Sequence, residues 1–143
     1  MWMTSATASS TASTQTIWQI YTEVAAWSRW DRGTQQSAIT GPFAVGTHGT
    51  LQSVGGPALP FEIIAAVIDQ GFADRTFLGP DTTLIFRHVL TATKTATQIT
   101  HIIEIDGPDA DHLAVALGVQ LTHGLREAVA GLATYATERE VTA

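Results

Sequence analysis

The last third of the chain carries a long helical pattern, and this pattern restricts the possible folds more than any other feature. About thirty residues, from 109 to 139, at a rise of 1.5 Å each give a helix roughly 45 Å long, enough to cross a small domain. One stripe of this helix is apolar and contains Leu113, Leu117, Leu121, Gly124, Ala128, Leu132 and Tyr135. A helix of this length must lay that stripe on another layer of structure.

Short strands precede the helix and provide that layer. Residues 4–12 predict a first strand, Ser13 or Thr14 predicts a helix N-cap, and a second short helical stretch covers residues 24–30. Glycines and prolines recur at short intervals over residues 41–60, a spacing typical of short strands joined by tight turns, and predict a hairpin around residues 41–46. Further strands are predicted over residues 61–68, 72–78, 82–93 and 96–106. Because successive strands are joined by short turns, the sheet should be antiparallel, and the fold class is α+β in a single domain covering residues 1–143.

The charge composition argues against several classes of partner. Hydrophobic residues make up 45% of the chain and charged residues only 14%, a balance that favours folding over disorder. The formal net charge is −6, and the few basic residues are scattered, so we expect neither nucleic acid nor an anionic membrane surface as a partner. The longest apolar runs are about six residues, far short of the ~20 that span a bilayer, so no stable membrane insertion is expected.

The sequence contains no cysteine, which removes disulfides, thiolate metal sites and cysteine nucleophiles. Residues 1–16 carry no positive charge and no long apolar segment, so no signal peptide is expected. These features permit a cytoplasmic location, which we predict. The sequence leaves open whether the protein forms a homodimer.

Several segments together resemble one protein family. They are Val-Ala-Ala-Trp-Ser-Arg-Trp-Asp at residues 24–31 with Ile17-Trp18 just before, Gly-Pro-Phe-Ala-Val-Gly-Thr at residues 41–47, and Thr100-His101 on a strand that runs into Gly107-Pro108. With the terminal helix, this order resembles the SRPBCC superfamily, the START-like helix-grip proteins that include polyketide cyclase/dehydrase-like proteins and relatives of the major birch pollen allergen. The resemblance implies a seven-stranded antiparallel sheet wrapped around the long helix, two short helices after the first strand, and an apolar cavity.

The resemblance implies a partner that is a small hydrophobic or aromatic ligand, such as a polyketide. Some members of the superfamily catalyse aldol-type cyclisation and dehydration, so a cyclase/dehydratase-like lyase or isomerase without an organic cofactor is one interpretation. A non-catalytic carrier, sensor or sequestering protein is the alternative, and a partner-binding protein with a solid core is a third. The superfamily has no universal catalytic motif, so no catalytic role transfers directly.

A pair of histidines is the first candidate for chemistry. If Thr93 faces Ala96 across the turn, His88 lies opposite His101 on a face that is otherwise apolar. Phe86 opposite Ile103 would share this face as ligand contacts. Two imidazoles there could hold a carbonyl or phenol, or one could take a proton alpha to a carbonyl. Burial and mutual proximity should lower both pKa values; the alternative is a pair that bonds only to each other or to water.

Arg75 is the third candidate for a catalytic role. Together with Phe77 it could face inward beside Phe86, where a guanidinium would stabilise an enolate oxygen. The alternative is an outward Arg75 paired with Asp74 or Glu62.

The remaining ligand-binding candidates lie at the rim and on the long helix. The resemblance implies that Trp30 lies at the cavity rim, and His48 lies in the early hairpin, as a third inner imidazole or a surface histidine. Gln120, Gly124 and Tyr135 lie on or beside the apolar stripe. The absence of a side chain at Gly124 could leave volume for a cavity, or it could allow the helix to pack closely on the sheet. Although three histidines could bind zinc, no His-x-His or His-x-x-x-His spacing is present, so we predict neither a metal site nor a cofactor.

Overall fold

The structure, a computed structural model, describes residues 1–142 of the chain. Its strands are β1 (Trp2–Ser10), β2 (Thr34–Ile39), β3 (His48–Ser53), β4 (Ala58–Val67), β5 (Gly71–Phe77), β6 (Thr83–Ala92) and β7 (Thr97–Asp106). Its helices are α1 (Thr14–Thr22), a 3₁₀ helix (Val24–Arg29) and α2 (Ala110–Thr142). This is the order of elements that the sequence predicts.

The seven strands form one antiparallel sheet in the order β1-β7-β6-β5-β4-β3-β2. The connection through α1 and the 3₁₀ helix carries the chain from one edge of the sheet to the other, so β1 pairs with the last strand and β2 lies at the opposite edge. The long helix α2 packs on the inner face of this sheet, mainly on β1 and β7. The predicted α+β helix-grip architecture is therefore confirmed. No helix within residues 1–142 is long and apolar enough to cross a membrane.

Helix α1 starts where the sequence predicts and supplies part of the core. The Ser13 side chain accepts a hydrogen bond from the Thr16 backbone N–H at 3.2 Å, which caps the first turn. Ile17, Ile20 and Tyr21 on the inner side of α1 are completely buried. They join Trp27 of the 3₁₀ helix and the following Trp30 in one core cluster with the C-terminal half of α2.

The buried side of α2 is rotated from the predicted stripe toward β1. Of the predicted stripe, Ala128 and Leu132 are buried, and the other members are only half-buried. Two hydroxyl pairs tie this side of the helix to β1, Thr4 to Thr122 at 2.8 Å and Ser10 to Thr137 at 2.7 Å. The side of the helix away from these contacts keeps apolar residues that the sheet covers only in part: Leu113, Leu117, Leu121 and Gly124.

Two glycines of α2 should respond in opposite directions to alanine. A Cβ at Gly131 would overlap the backbone oxygen of Trp30, whereas a Cβ at Gly124 would meet no atom within 4 Å. Because alanine is favoured over glycine in a helix by about 1 kcal/mol, Gly124→Ala should stabilise the protein by that amount. Gly131→Ala should destabilise it by about 1–3 kcal/mol through overpacking. Urea denaturation of both variants measures the difference, and equal losses would contradict open space at Gly124.

Candidate functional site

The two predicted histidines lie side by side on the inner face of the sheet. His88 of β6 is aligned with His101 of β7, and their ring centroids are 4.6 Å apart. Only 5% of His88 and 0% of His101 is exposed. The alternate residues face outward, where Arg87 Nε donates to Glu104 at 2.9 Å. The predicted register of this hairpin is confirmed, including Phe86 opposite Ile103.

The hydrogen bond of His88 determines which ring nitrogen is free. Its Nδ1 lies 3.2 Å from the backbone oxygen of Phe72. Since a carbonyl can only accept, Nδ1 carries the proton, and Nε2 of the neutral ring is an acceptor. Burial lowers the pKa of His88 well below its usual value, the proximity of His101 lowers it further, and the bond to Phe72 opposes both effects. The imidazole is stacked between Phe72 at 3.8 Å and Phe86 at 4.2 Å between centroids.

His101 is held by a tyrosine that sequence reasoning missed. The hydroxyl of Tyr21, which is completely buried, lies 2.8 Å from His101 Nε2. Burial lowers the pKa of His101 to about 3 and raises that of Tyr21, so both are neutral at ordinary pH. A signal was present in the sequence: Tyr21 lies on the apolar side of α1, and a buried tyrosine hydroxyl requires a polar partner.

Two buried nitrogens beside this pair have no hydrogen-bond partner among the described residues. They are His101 Nδ1 and Trp30 Nε1, on rings whose centroids are 6.2 Å apart in an edge-on arrangement. Trp30 is only 7% exposed, so it lies within the core cluster rather than at a solvent-facing rim. The structure therefore brings Trp30 together with the histidines, as well as Phe86 and Ile103.

Arg75 and Phe77 do not face this site, contrary to the prediction. Arg75 lies on the outer face of the sheet, where its Nη2 donates to Glu62 at 2.9 Å. Phe77 is 59% exposed and lies beside the Arg75 guanidinium. The reason is the parity of the turn between β5 and β6, which aligns Phe77 with Thr83. The outward Arg75 paired with Glu62 is thus the arrangement that the structure shows.

Asp74 occupies the inward position that the sequence prediction gave to Arg75. It is aligned with Phe86 on β6 and with Ile63 on β4, and only 9% of it is exposed. Its carboxyl forms no ion pair or hydrogen bond with the described residues, and burial raises its pKa to about 8. Asp74 could have been found from the sequence through the charge complementarity of Arg75 and Glu62, which favours placing Arg75 outside and its neighbour inside.

Three further predicted contacts lie away from the histidines. His48 is exposed on β3, aligned with Glu62. Gln120 is exposed because α2 is rotated toward β1. The Tyr135 hydroxyl accepts from Arg139 at 3.2 Å, and Tyr135 lines an open depression of about 440 Å³ whose wall also includes Trp30. Among residues 1–142 no group of three His, Asp or Glu side chains has the arrangement of metal ligands.

A half-buried apolar strip adjoins the histidines and Asp74. Because α2 packs on β1 and β7, it leaves the inner face of β6 partly uncovered. Phe86 neighbours both His88 and Asp74 there. We call this region the inner strip, and it consists of Leu84, Phe86, Leu113, Leu121 and Gly124.

A seven-stranded antiparallel sheet around a long C-terminal helix, with short helices after β1, defines the START-like helix-grip fold. No protein-family model matches the chain, and no curated protein matches its sequence. The structure is similar to that of the hypothetical protein jhp0584 from Helicobacter pylori, with a TM-score of 0.80, 12% identity, and coverage of 94% of this chain and 88% of that one.

Two further solved structures carry descriptive names. A START superfamily protein from Mycobacterium smegmatis matches with a TM-score of 0.68 and 16% identity, over 93% of this chain and 97% of that one. DynU16, a putative protein in the dynemicin biosynthetic locus, matches with a TM-score of 0.70 and 21% identity. The match covers 93% of this chain but only 46% of DynU16. These likenesses confirm the helix-grip fold that the resemblance implies.

Proposed function

We propose that this protein binds a small hydrophobic or aromatic molecule at the inner strip. The observation that carries the proposal is the partial exposure of Phe86 and Leu84 on the same face as fully buried Ile99 and Ile105. Covering apolar surface contributes about 25 cal/mol per Å², so a ligand that fills the strip gains affinity from these side chains. Ligand sites commonly combine such an apolar lining with a few polar groups, here His88 and Asp74.

The names of similar structures support this proposal. One is described as a START superfamily protein, and another belongs to the biosynthetic locus of dynemicin. A role in binding or processing small molecules fits both descriptions and requires no nucleic acid or membrane partner.

A cyclase/dehydratase-like enzyme is the second candidate function. It is favoured by the hydrogen bond of His88 Nδ1, which leaves Nε2 without a proton. With its proton on Nδ1, the neutral ring has Nε2 available to take a proton alpha to a carbonyl. The Phe72 carbonyl would then stabilise the imidazolium through Nδ1–H. His101 is less suited to this role because Tyr21 occupies its Nε2, and Arg75 on the outer face cannot reach an enolate oxygen there.

Gly124→Phe should block the inner strip. A Cβ at Gly124 meets no atom within 4 Å, so a phenyl ring can enter the strip without displacing the backbone. We expect the neutral fluorescent probe N-phenyl-1-naphthylamine to bind the variant at least tenfold more weakly than the wild type, on the order of 1.4 kcal/mol. Val119→Phe adds the same ring at a position that is 88% exposed on the same helix, and it should leave probe affinity unchanged.

Wild-type affinity in a folded Gly124→Phe variant would contradict the proposed site. Mass spectrometry under native conditions on the purified protein, followed by incubation with any molecule it carries, separates the two candidate functions. Turnover that His88→Gln loses while binding persists indicates acid–base catalysis, and return of the molecule unchanged indicates a carrier, sensor or sequestering protein.

A further inference from the structure

We propose that Asp74 is the polar anchor of this site and that its carboxyl group donates a hydrogen bond to a carbonyl oxygen of the ligand. The ligand class is then a neutral ketone or quinone on an aromatic or alicyclic body. This inference rests on the proposed function, because it names the group that the inner strip would recognise.

The position of Asp74 is the first argument. Its side chain points to the inner face between Ile63 on one neighbouring strand and Phe86 on the other. The residue is nine-tenths buried, and no described residue hydrogen-bonds or pairs with the carboxyl, whose oxygens keep some exposure to solvent. A largely buried carboxyl without a protein partner, reachable from outside beside the half-exposed Phe86 ring, is suited to a ligand contact.

The charges around Asp74 decide what kind of ligand suits it. On β6 the titratable inward neighbour is His88, a neutral imidazole whose Nδ1 is bound to Phe72. On β4 the inward neighbours Phe61 and Ile63 are apolar, and the adjacent Phe86 belongs to one apolar cluster with Leu113 and Leu121 of α2.

The cation nearest in sequence, Arg75, is on the outer face with Glu62. With no positive charge facing it, Asp74 holds its proton, consistent with a pKa raised by burial to about 8. A protonated carboxyl is a donor, and its complement is an acceptor oxygen.

Three probes with one bicyclic skeleton test the assignment: 1-tetralone, the hydrocarbon tetralin and the amine 1-aminotetralin. Their affinities are measured at pH 6 by NMR titration of the wild type, Asp74→Asn and Asp74→Leu. Asparagine keeps an N–H donor but cannot ionise, whereas leucine removes the polar group at similar volume. We expect the wild type to prefer 1-tetralone over tetralin by roughly tenfold, the gain from one hydrogen bond.

Asp74→Asn should retain that preference, and Asp74→Leu should lose it while binding tetralin as tightly as the wild type. An equal preference for 1-tetralone in the wild type and Asp74→Leu would overturn the assignment and leave the proposed function standing. A wild-type preference for 1-aminotetralin that Asp74→Leu loses would also overturn it, because Asp74 would then bind a cation. If none of the three probes binds the wild type, the proposed function fails and this inference fails with it.

Discussion

Between pH 7 and pH 5 the wild-type protein should lose stability, and replacing both inner histidines with glutamine should reverse the direction of this effect. Burial lowers the pKa of His101 to about 3 and that of His88 well below its usual value. In the unfolded chain each imidazole titrates near 6.5. Below that pH the unfolded state therefore binds protons that the folded state does not, and stability falls as the pH falls.

The expected sizes follow from the linkage of protons to folding. From pH 7 to pH 5 a histidine that stays neutral in the folded state contributes a loss of about 2 kcal/mol, so two such histidines contribute about 4 kcal/mol. Asp74 acts in the opposite direction, because its folded pKa is about 8 and its unfolded pKa is far lower. Its gain of about 3 kcal/mol between pH 7 and pH 5 leaves a net wild-type loss of about 1 kcal/mol.

The variant His88→Gln/His101→Gln keeps the contribution of Asp74 and should gain about 3 kcal/mol from pH 7 to pH 5. Urea denaturation at several pH values measures how the free energy of unfolding changes with pH. This slope is unaffected by any loss of stability that the substitutions cause equally at every pH. His48→Gln is the matched control, since His48 is exposed and its loss should leave the wild-type slope intact. A double variant that still loses stability in mild acid would show that the inner histidines are not the neutral buried groups described above.

The histidine pair could be predicted from sequence because its hairpin is short. The turn at residues 94–95 fixes the register of β6 against β7, and alternation then places His88 and His101 on the same face. The turn between β5 and β6 is longer, and a change of one residue in its parity exchanges Arg75 for Asp74 on the inner face. The error at Arg75 is therefore a register error, although the types of both strands were predicted correctly.

Contacts between distant parts of the chain were beyond such reasoning. The bond from Tyr21 to His101 depends on how α1 packs on the sheet, across a separation of 80 residues. The rotation of α2 is accompanied by hydroxyl pairs such as Thr4 with Thr122, which an apolar pattern does not register. Hydrophobic periodicity predicted the helix and its length, but the buried side also carries polar contacts with β1 that such a pattern does not include.

Between pH 6.5 and pH 8 the wild-type protein should lose stability as the pH rises, and Asp74→Asn should abolish this loss. The pKa of Asp74 is about 8 in the folded protein, against ~3.9 for an unfolded aspartate. In this interval the folded state holds a proton that the unfolded state has released, so stability falls with rising pH and levels off above the folded pKa. The full effect from pH 4 to pH 8 is at most about 5 kcal/mol, of which about 2 kcal/mol falls above pH 6.5.

Above pH 6.5 Asp74 dominates, because the inner histidines are neutral in the folded protein and lose only their remaining protons in the unfolded chain. That loss opposes the Asp74 effect by less than about 1 kcal/mol for the pair. Asp81→Asn, at an exposed aspartate, should retain the wild-type slope and serves as the control. Asp74→Asn should be more stable than the wild type at pH 8 by about 2 kcal/mol or more. The Asp74 carboxyl lowers stability and has no partner within residues 1–142, so its presence is not explained by the folded chain alone. A hydrogen bond to a ligand carbonyl would explain it. If the free energy of unfolding changes with pH equally in the wild type and in Asp74→Asn, Asp74 is a solvated carboxylate. It could then not donate a hydrogen bond to a neutral ligand, and this explanation would fail.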